Sequence, residues 1–409
     1  MKISDKAKKF IKKEESFGAH NYHPLEVVIT RGQGIYVWDV DNKRYFDFLS
    51  AYSAVNQGHC HPKIIEALTS QASTLTLTSR AFYNDKLAPF EEYVHDLFGY
   101  NKMLPVNSGA EAVESALKLA RKWGYLKKGI PQNQAQIVVC EENFHGRTVC
   151  IVSLSTDPAA YNDYGPYTPG FIKIPYGSAV ALENLLKERA NSIAAFMAEP
   201  IQGEAGVVVP PEGYLKKCRE LCTKYNILFI ADEVQTGIAR TGKMLCCDHE
   251  DVRPDIVVLG KALSGGVLPV SAVLADDEIM LTIKPGEHGS TFGGSPLACS
   301  VALAALKVAV EEHLAQRAEE LGKIFRAKIS AFKSPFVGEV RGKGLLNAIV
   351  INPHNGKEAW DVCETMASNG LLAKPTHRHI IRFAPPLVIS EEELNTAIDI
   401  IINSIKSME

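Results

Sequence analysis

The sequence predicts an α/β protein in which a mainly parallel, buried sheet lies between helices and is joined to a smaller α/β domain. Three observations carry that prediction. Two runs, 227–231 and 256–259, are continuously apolar rather than alternating, as strands covered on both faces are. In PVNSGAEAVESALKLARKWG, Val113, Ala116, Leu117 and Ala120 fall at helical spacing behind Ser108 and Glu111, which form a capping box. From about Ala309 the pattern changes to alternating helices and short strands, among them VRGKGLLNAIVI and HIIRFAPPLVIS, and ends in a helix over 391–407.

Taken in order, the chain opens with Lys6, Lys8, Lys9, Lys12 and Lys13 interrupted by Asp5, Glu14 and Glu15, which reads as a solvated helix face. Residues 35–38 and 44–48 alternate like a small hairpin around Asp41-Asn42. At the start of the capped helix, the small residues Ser108, Gly109 and Ala110 leave the first backbone N–H groups approachable, an arrangement that favours an anion. IVVCEENFHGRTVCIVSLS reads as a strand, a loop and another apolar segment. A further strand ends at Glu199-Pro200; Glu204 follows in a Gly-flanked loop, and then a helix introduced by Pro210 and Pro211. Ser290 and Thr291 precede an Ala-rich helix. The sequence has no internal repeat and no low-complexity linker.

At 409 residues, with 46% hydrophobic and 22% charged residues, the chain suits two domains sharing a large core. A formal net charge of −3 offers no basic field for nucleic acid. No apolar run reaches the length of a membrane helix, and the N-terminus lacks both a signal-peptide core and, before Arg31, any arginine of the transit-peptide kind. The 9 cysteines are odd in number and lack the spacing with histidine of a zinc site, so no metal is expected and a reducing, cytoplasmic compartment is. Cys140 and Cys150 flank the FHGR loop and read as structural thiols.

Chemistry in open α/β sheets gathers at the carboxyl ends of strands. Asp232 stands at one such end and Lys261 just past another, so an acid and an amine face one pocket. Taken alone, such a pair is an ordinary feature of strand-end loops. The wording around it is more specific: ADEVQTG followed by GKALSGG resembles the pyridoxal-phosphate-dependent aminotransferases that act on terminal amines, the ornithine and 4-aminobutyrate group. The resemblance runs from about Gly18 to the last helix with several motifs in order. The loops HNYHPL and AYSAVNQGHCHP match the ornithine members of that group.

The resemblance implies an aspartate-aminotransferase-type fold, with a seven-stranded sheet in the large domain. The implied division is an N-terminal segment 1–48 packing with the small domain, a large cofactor domain 49–308 and a small domain 309–409. Lys261 is then the residue that bonds the cofactor aldehyde, a task that needs a neutral amine and so a desolvated lysine. Asp232 keeps the pyridine nitrogen protonated, Val234 and Phe144 cover the two ring faces, and Gln235 bonds the phenolic oxygen. Ser108, Gly109 and Ala110 hold the phosphate, while Ser290 and Thr291 belong to a segment that crosses to the neighbouring subunit, its Thr binding the phosphate there. A homodimer with shared sites follows. His145 is set aside as a general base, since Lys261 is itself placed to carry the proton. Tyr22, Tyr52, Arg147, Glu204 and Arg382 form the substrate set, with Glu204 masking Arg382 when an amine binds and leaving it when a dicarboxylate does. The implied reaction moves the terminal amine of L-ornithine to 2-oxoglutarate. N-acetylornithine or 4-aminobutyrate as donor, and an aminomutase, stay open as alternatives.

Overall fold

The computed structural model describes residues 3–409 and contains three sheets. The first uses β1 (Ile29–Gln33), β2 (Tyr36–Asp39) and β3 (Arg44–Asp47). The central sheet uses β4 (Lys102–Val106), β5 (Gln136–Cys140), β6 (Phe171–Ile174), β7 (Ile193–Ala198), β8 (Leu228–Asp232), β9 (Ile256–Leu259) and β10 (Ser271–Ala275). The C-terminal third adds β11 (Val337–Lys343), β12 (Leu346–Ile351), β13 (Leu371–Leu372), β14 (Lys374–Thr376) and β15 (Ile380–Phe383).

The central sheet has the order β4-β10-β9-β8-β7-β5-β6, and β10 alone runs against the rest. Every residue of β7, β8, β9 and β10 is buried. Successive residues of β8 serve opposite faces. Ile230 packs with Val113, Leu117 and Val258 on the side of the helix Gly109–Leu126, whereas Phe229 and Ala231 pack with Leu215 and Cys218 of the helix Tyr214–Lys224. Two covered faces explain why the sequence does not alternate here.

The expected hairpin forms with Tyr36 opposite Phe46 and Trp38 opposite Arg44, and Asn42 takes φ 64° in its turn. The sequence reading did not anticipate β1, which is mostly exposed and carries little pattern. The parallel pairing of β13 with β3 joins the N-terminal strands to the C-terminal third. The antiparallel sheet β11-β12-β15-β14 places Arg382 on an inner strand between Ala348 and Lys374. The opening helix Asp5–Phe17 buries only Ala7, as its charges require. All 9 cysteines are free; Cys140 is buried and Cys150 half-buried, and burial pushes their thiols up to about 12 and about 11. No helix among the described residues is long and apolar enough to cross a membrane.

One side chain ties these parts together. Arg240 is 0% exposed and has no carboxylate in bonding contact; its guanidinium donates to Asn56 Oδ1 at 2.5 and 3.1 Å, Leu345 O at 3.0 Å and Pro385 O at 2.7 Å. The loop after β8, the segment after β3 and one end of the antiparallel β12–β15 pair therefore share one cation. Arg240→Met leaves three buried acceptors unpaired, each costing about 1–3 kcal/mol. The expected result is a protein destabilised by about 3 kcal/mol or more, measured as a lower urea midpoint.

Candidate active site

Because β5, β7, β8 and β9 are neighbours and parallel, the loops after Cys140, Ala198, Asp232 and Leu259 leave the sheet on one edge. There they enclose a cavity of about 210 Å³ lined by Gly109, Ala110, Phe144, His145, Gly146, Glu199, Ile201, Asp232, Val234, Gln235, Thr236 and Lys261. Seven residues selected from the sequence meet in it: Gly109, Ala110, Phe144, Asp232, Val234, Gln235 and Lys261.

Asp232 is 4% exposed, and both its oxygens are held. His145 Nδ1 donates to Oδ2 at 2.6 Å and the Val234 amide donates to Oδ1 at 3.1 Å. His145 was discounted as a base and proves to be the residue that aims the acid; its Nε2 is buried without a partner. Burial by itself lowers the imidazole pKa, but the hydrogen bond and charge of Asp232, with Glu199 nearby, raise it above the ordinary value. Glu199, which sequence reasoning placed only as a strand end, accepts from Phe144 N at 3.1 Å and Gly203 N at 3.4 Å. Burial pushes its carboxyl up to about 7 against the opposing charge of His145. No local signal marked either, because both roles depend on β7 lying between β5 and β8 in the folded sheet.

Lys261 follows β9 after a single glycine and takes φ 42° at the start of a short turn that ends at Ser264. Burial, the largest influence, lowers its pKa; Glu204 and Asp232 work against that shift and Arg382 adds to it. A lowered pKa makes the neutral, nucleophilic amine accessible. Opposite, the capping box of Ser108 and Glu111 is present, and a Cβ on Gly109 would stand 3.0 Å from Val234 Cγ1. The helix start is thus open to a flat group lying beside Val234.

The remaining predicted residues lie outside the lining of this cavity. Arg147 and Glu204 line an adjoining space of about 150 Å³ that shares Phe144, His145 and Gly146 with the first. Glu204 accepts from Arg382 Nη1 at 2.8 Å and Nη2 at 3.2 Å. Burial would raise the Glu204 pKa, yet the charge and bonds of Arg382 bring it below the ordinary value. The Tyr52 ring lies 4.9 Å from Arg382 Cζ, and Tyr22 and Tyr52 border a third, more apolar space of about 420 Å³. Ser290 Oγ accepts from Asn107 Nδ2 at 2.8 Å, whereas Thr291 is exposed and lines none of these spaces in its own chain.

The family model for class-III aminotransferases matches residues 17–405. The mitochondrial ornithine aminotransferase of Drosophila melanogaster is 62% identical over 396 residues, 97% of this chain and 91% of that protein. The crystal structure of ornithine aminotransferase from Toxoplasma gondii superposes with a TM-score of 0.96 at 48% identity, covering 98% of this chain and 95% of that one. An acetylornithine aminotransferase from Elizabethkingia anophelis superposes with a TM-score of 0.90 at 59% identity, covering 98% and 99%. The Drosophila protein's mitochondrial name overturns the expectation of a cytoplasmic compartment. Free thiols report a reducing environment, which more than one compartment supplies. The chain belongs to the class-III aminotransferases, enzymes that work with pyridoxal 5'-phosphate.

Proposed function

We propose that this chain transfers the δ-amino group of L-ornithine to 2-oxoglutarate, giving L-glutamate and L-glutamate 5-semialdehyde, which cyclises to pyrroline-5-carboxylate. The observation that carries this reading is the bidentate Glu204–Arg382 pair beside Lys261. The two substrates present different charges at the reacting end. A dicarboxylate calls for a free guanidinium, whereas the methylene and amine of ornithine are repelled by one. Glu204 supplies the mask in one state and leaves it in the other.

The residues present fit the cofactor. Lys261 would bond its aldehyde, Asp232 would meet the pyridine nitrogen, Val234 and Phe144 would cover the ring, and Gln235 would bond the phenolic oxygen. Ser108, Gly109 and Ala110 would receive the phosphate at the helix N-terminus. When bound, the cofactor supplies an electron sink for the substrate carbon that loses a proton. Lys261, with its lowered pKa, carries that proton. Arg147 holds the carboxylate remote from the reaction, and Tyr22 and Tyr52, which border the apolar space of about 420 Å³, complete the substrate set, Tyr22 near the α-amine.

The reading extends to a homodimer with shared sites, in which Ser290 and Thr291 serve the neighbouring subunit's phosphate. In its support, Phe82, Tyr83 and Phe292 are 70%, 104% and 57% exposed, and Asn84 Nδ2 donates to Gly294 O at 3.5 Å, which brings their two segments together. Exposed aromatic clusters of this kind mark association surfaces. The division into a segment 1–48, a large domain 49–308 and a small domain 309–409 is part of the same proposal.

The Elizabethkingia neighbour favours N-acetylornithine as a second reading. Comparison of kcat/KM for ornithine and N-acetylornithine decides between them; a preference for the acetylated amine would reject the ornithine reading.

Three experiments test the roles. Asp232→Asn should keep the fold and lower turnover by orders of magnitude, because only the sink is damaged; a loss below about tenfold, roughly 1.4 kcal/mol, would point to a different acid. Glu204→Ala should slow the ornithine half-reaction and improve the glutamate half-reaction in stopped-flow measurements, since Arg382 is left unmasked. Equal losses would mean a permanent ion pair. Mixing Thr291→Ala protein with inactive Lys261→Ala protein under conditions of subunit exchange should restore activity through mixed dimers that hold one intact site.

A further inference from the structure

We propose that His23 is a positioning residue for the amine donor: stacked on Trp360, it aims the loop that carries Tyr22 at the substrate space. The proposal rests on the reading of Tyr22 given above.

Residues 19–24 lead from the helix Asp5–Phe17 toward β1 and form no regular structure. Among the described residues, none of their backbone groups bonds to another backbone group. The flanking bonds are local, Gly18 N to Glu14 O and Val27 N to Leu25 O, each at 2.7 Å. His20 Nε2 lies 2.7 Å from Glu15 O, again a contact within the segment. Tyr22 is 74% exposed, and His23 is exposed as well. Ordering such a stretch costs conformational entropy, so a side chain on it is aimed only where some contact holds the chain.

Two contacts reach outward. Leu25 packs against the large buried core. Two residues earlier, the His23 ring lies flat on the Trp360 indole, with centroids 4.6 Å apart and planes 3° from parallel. A stacked ring pair adds to the area it buries and fixes the plane of the ring, which apolar burial alone does not. The indole is itself held, since Trp360 Nε1 donates to Glu364 Oε1 at 3.2 Å, one turn along the same helix.

The stack decides where Tyr22 points. Pro24 disfavours the helical region for His23 and favours extended backbone there. Successive side chains of an extended chain leave on opposite sides. Tyr22 and Pro24 accordingly border the space of about 420 Å³ that Tyr52 also borders, while His23 between them does not. With the His23 ring laid on Trp360, Tyr22 is turned toward the substrate.

The anchor also sets Tyr22 in register with the rest of the site. Trp360 stands in the first turn of the helix Ala359–Ser368, which packs on β13, β14 and β15. Arg382 belongs to β15, and Lys374, which borders the same space as Tyr22, belongs to β14. One ring pair therefore ties the tyrosine of the N-terminal segment to the sheet that carries the arginine.

The test uses the holoenzyme and reads the ornithine half-reaction by stopped flow, which separates the apparent Kd from the maximal rate. His23→Ala should raise the apparent Kd for ornithine about fivefold, the scale set by one aromatic pair, and change the maximal rate by less than about twofold. Trp360→Leu should give the same pattern, and the double variant should lose no more than either single one. His23→Phe, which keeps a ring for the indole, should recover most of the affinity. In a Tyr22→Phe background, His23→Ala should add less than about twofold. Equal losses in affinity and maximal rate, an unchanged apparent Kd in His23→Ala, or a full effect of His23→Ala in the Tyr22→Phe background would overturn the proposal. Tyr22→Phe separates the layers: if it weakens ornithine binding while His23→Ala does not, the inference alone fails, and if it leaves ornithine binding unchanged, the reading of Tyr22 fails with it.

Discussion

Four parallel strands buried on both faces set the terms for everything else in this molecule. A strand in that position has no solvent-facing side on which to carry a polar group, so chemistry is confined to its ends. Asp232 ends β8, Glu199 follows β7, His145 lies in the loop after β5 and Lys261 follows β9 by one glycine. Adjacency in the sheet then becomes adjacency in the cavity, and residues more than a hundred positions apart meet without any long-range instruction in the sequence.

Concentrating ionisable groups in so small a volume creates an electrostatic problem, which is solved by pairing. Asp232 has His145 and the Val234 amide, Glu199 has two backbone donors, and Glu204 has Arg382. Among the described residues Lys261 has no ion pair of its own, and burial, the largest influence, lowers its pKa against the opposing charges of Glu204 and Asp232. A lowered lysine pKa in a cleft is the pattern that marks functional sites.

The Arg382 side of the site is assembled differently, from pieces that belong to three sheets. Arg382 comes from β15, Glu204 from the loop after β7 and Tyr52 from the segment after β3. Their relative placement depends on bonds that cross between those pieces: Arg240 to Asn56, Leu345 and Pro385, Arg341 Nε to Gly206 O at 2.9 Å, and Thr376 Oγ1 to Glu204 O at 3.1 Å. The Asp232 side is held by burial, whereas the Arg382 side is positioned by a few polar ties around the Glu204–Arg382 pair.

The amino-acid sequence by itself determined what local patterning can encode. The apolar runs of β8 and β9, the capping box at Ser108 and Glu111, the β2–β3 hairpin and the Asp232 and Lys261 positions all follow from composition and spacing over a few residues. β1 escaped because an exposed edge strand has no apolar pattern to betray it. His145 and Glu199 escaped as supports of the acid because their roles depend on β7 lying between β5 and β8, and strand order is a property of the folded sheet. The left-handed turn at Ser50–Ser53 was invisible for a related reason: SAYS has no glycine to announce positive φ, and only the bonds to Asp47 make that hand affordable. Short-range preference wrote the elements; tertiary contact alone decided which buried groups face one another, because desolvation and hydrogen-bond pairing act between residues that sequence keeps apart.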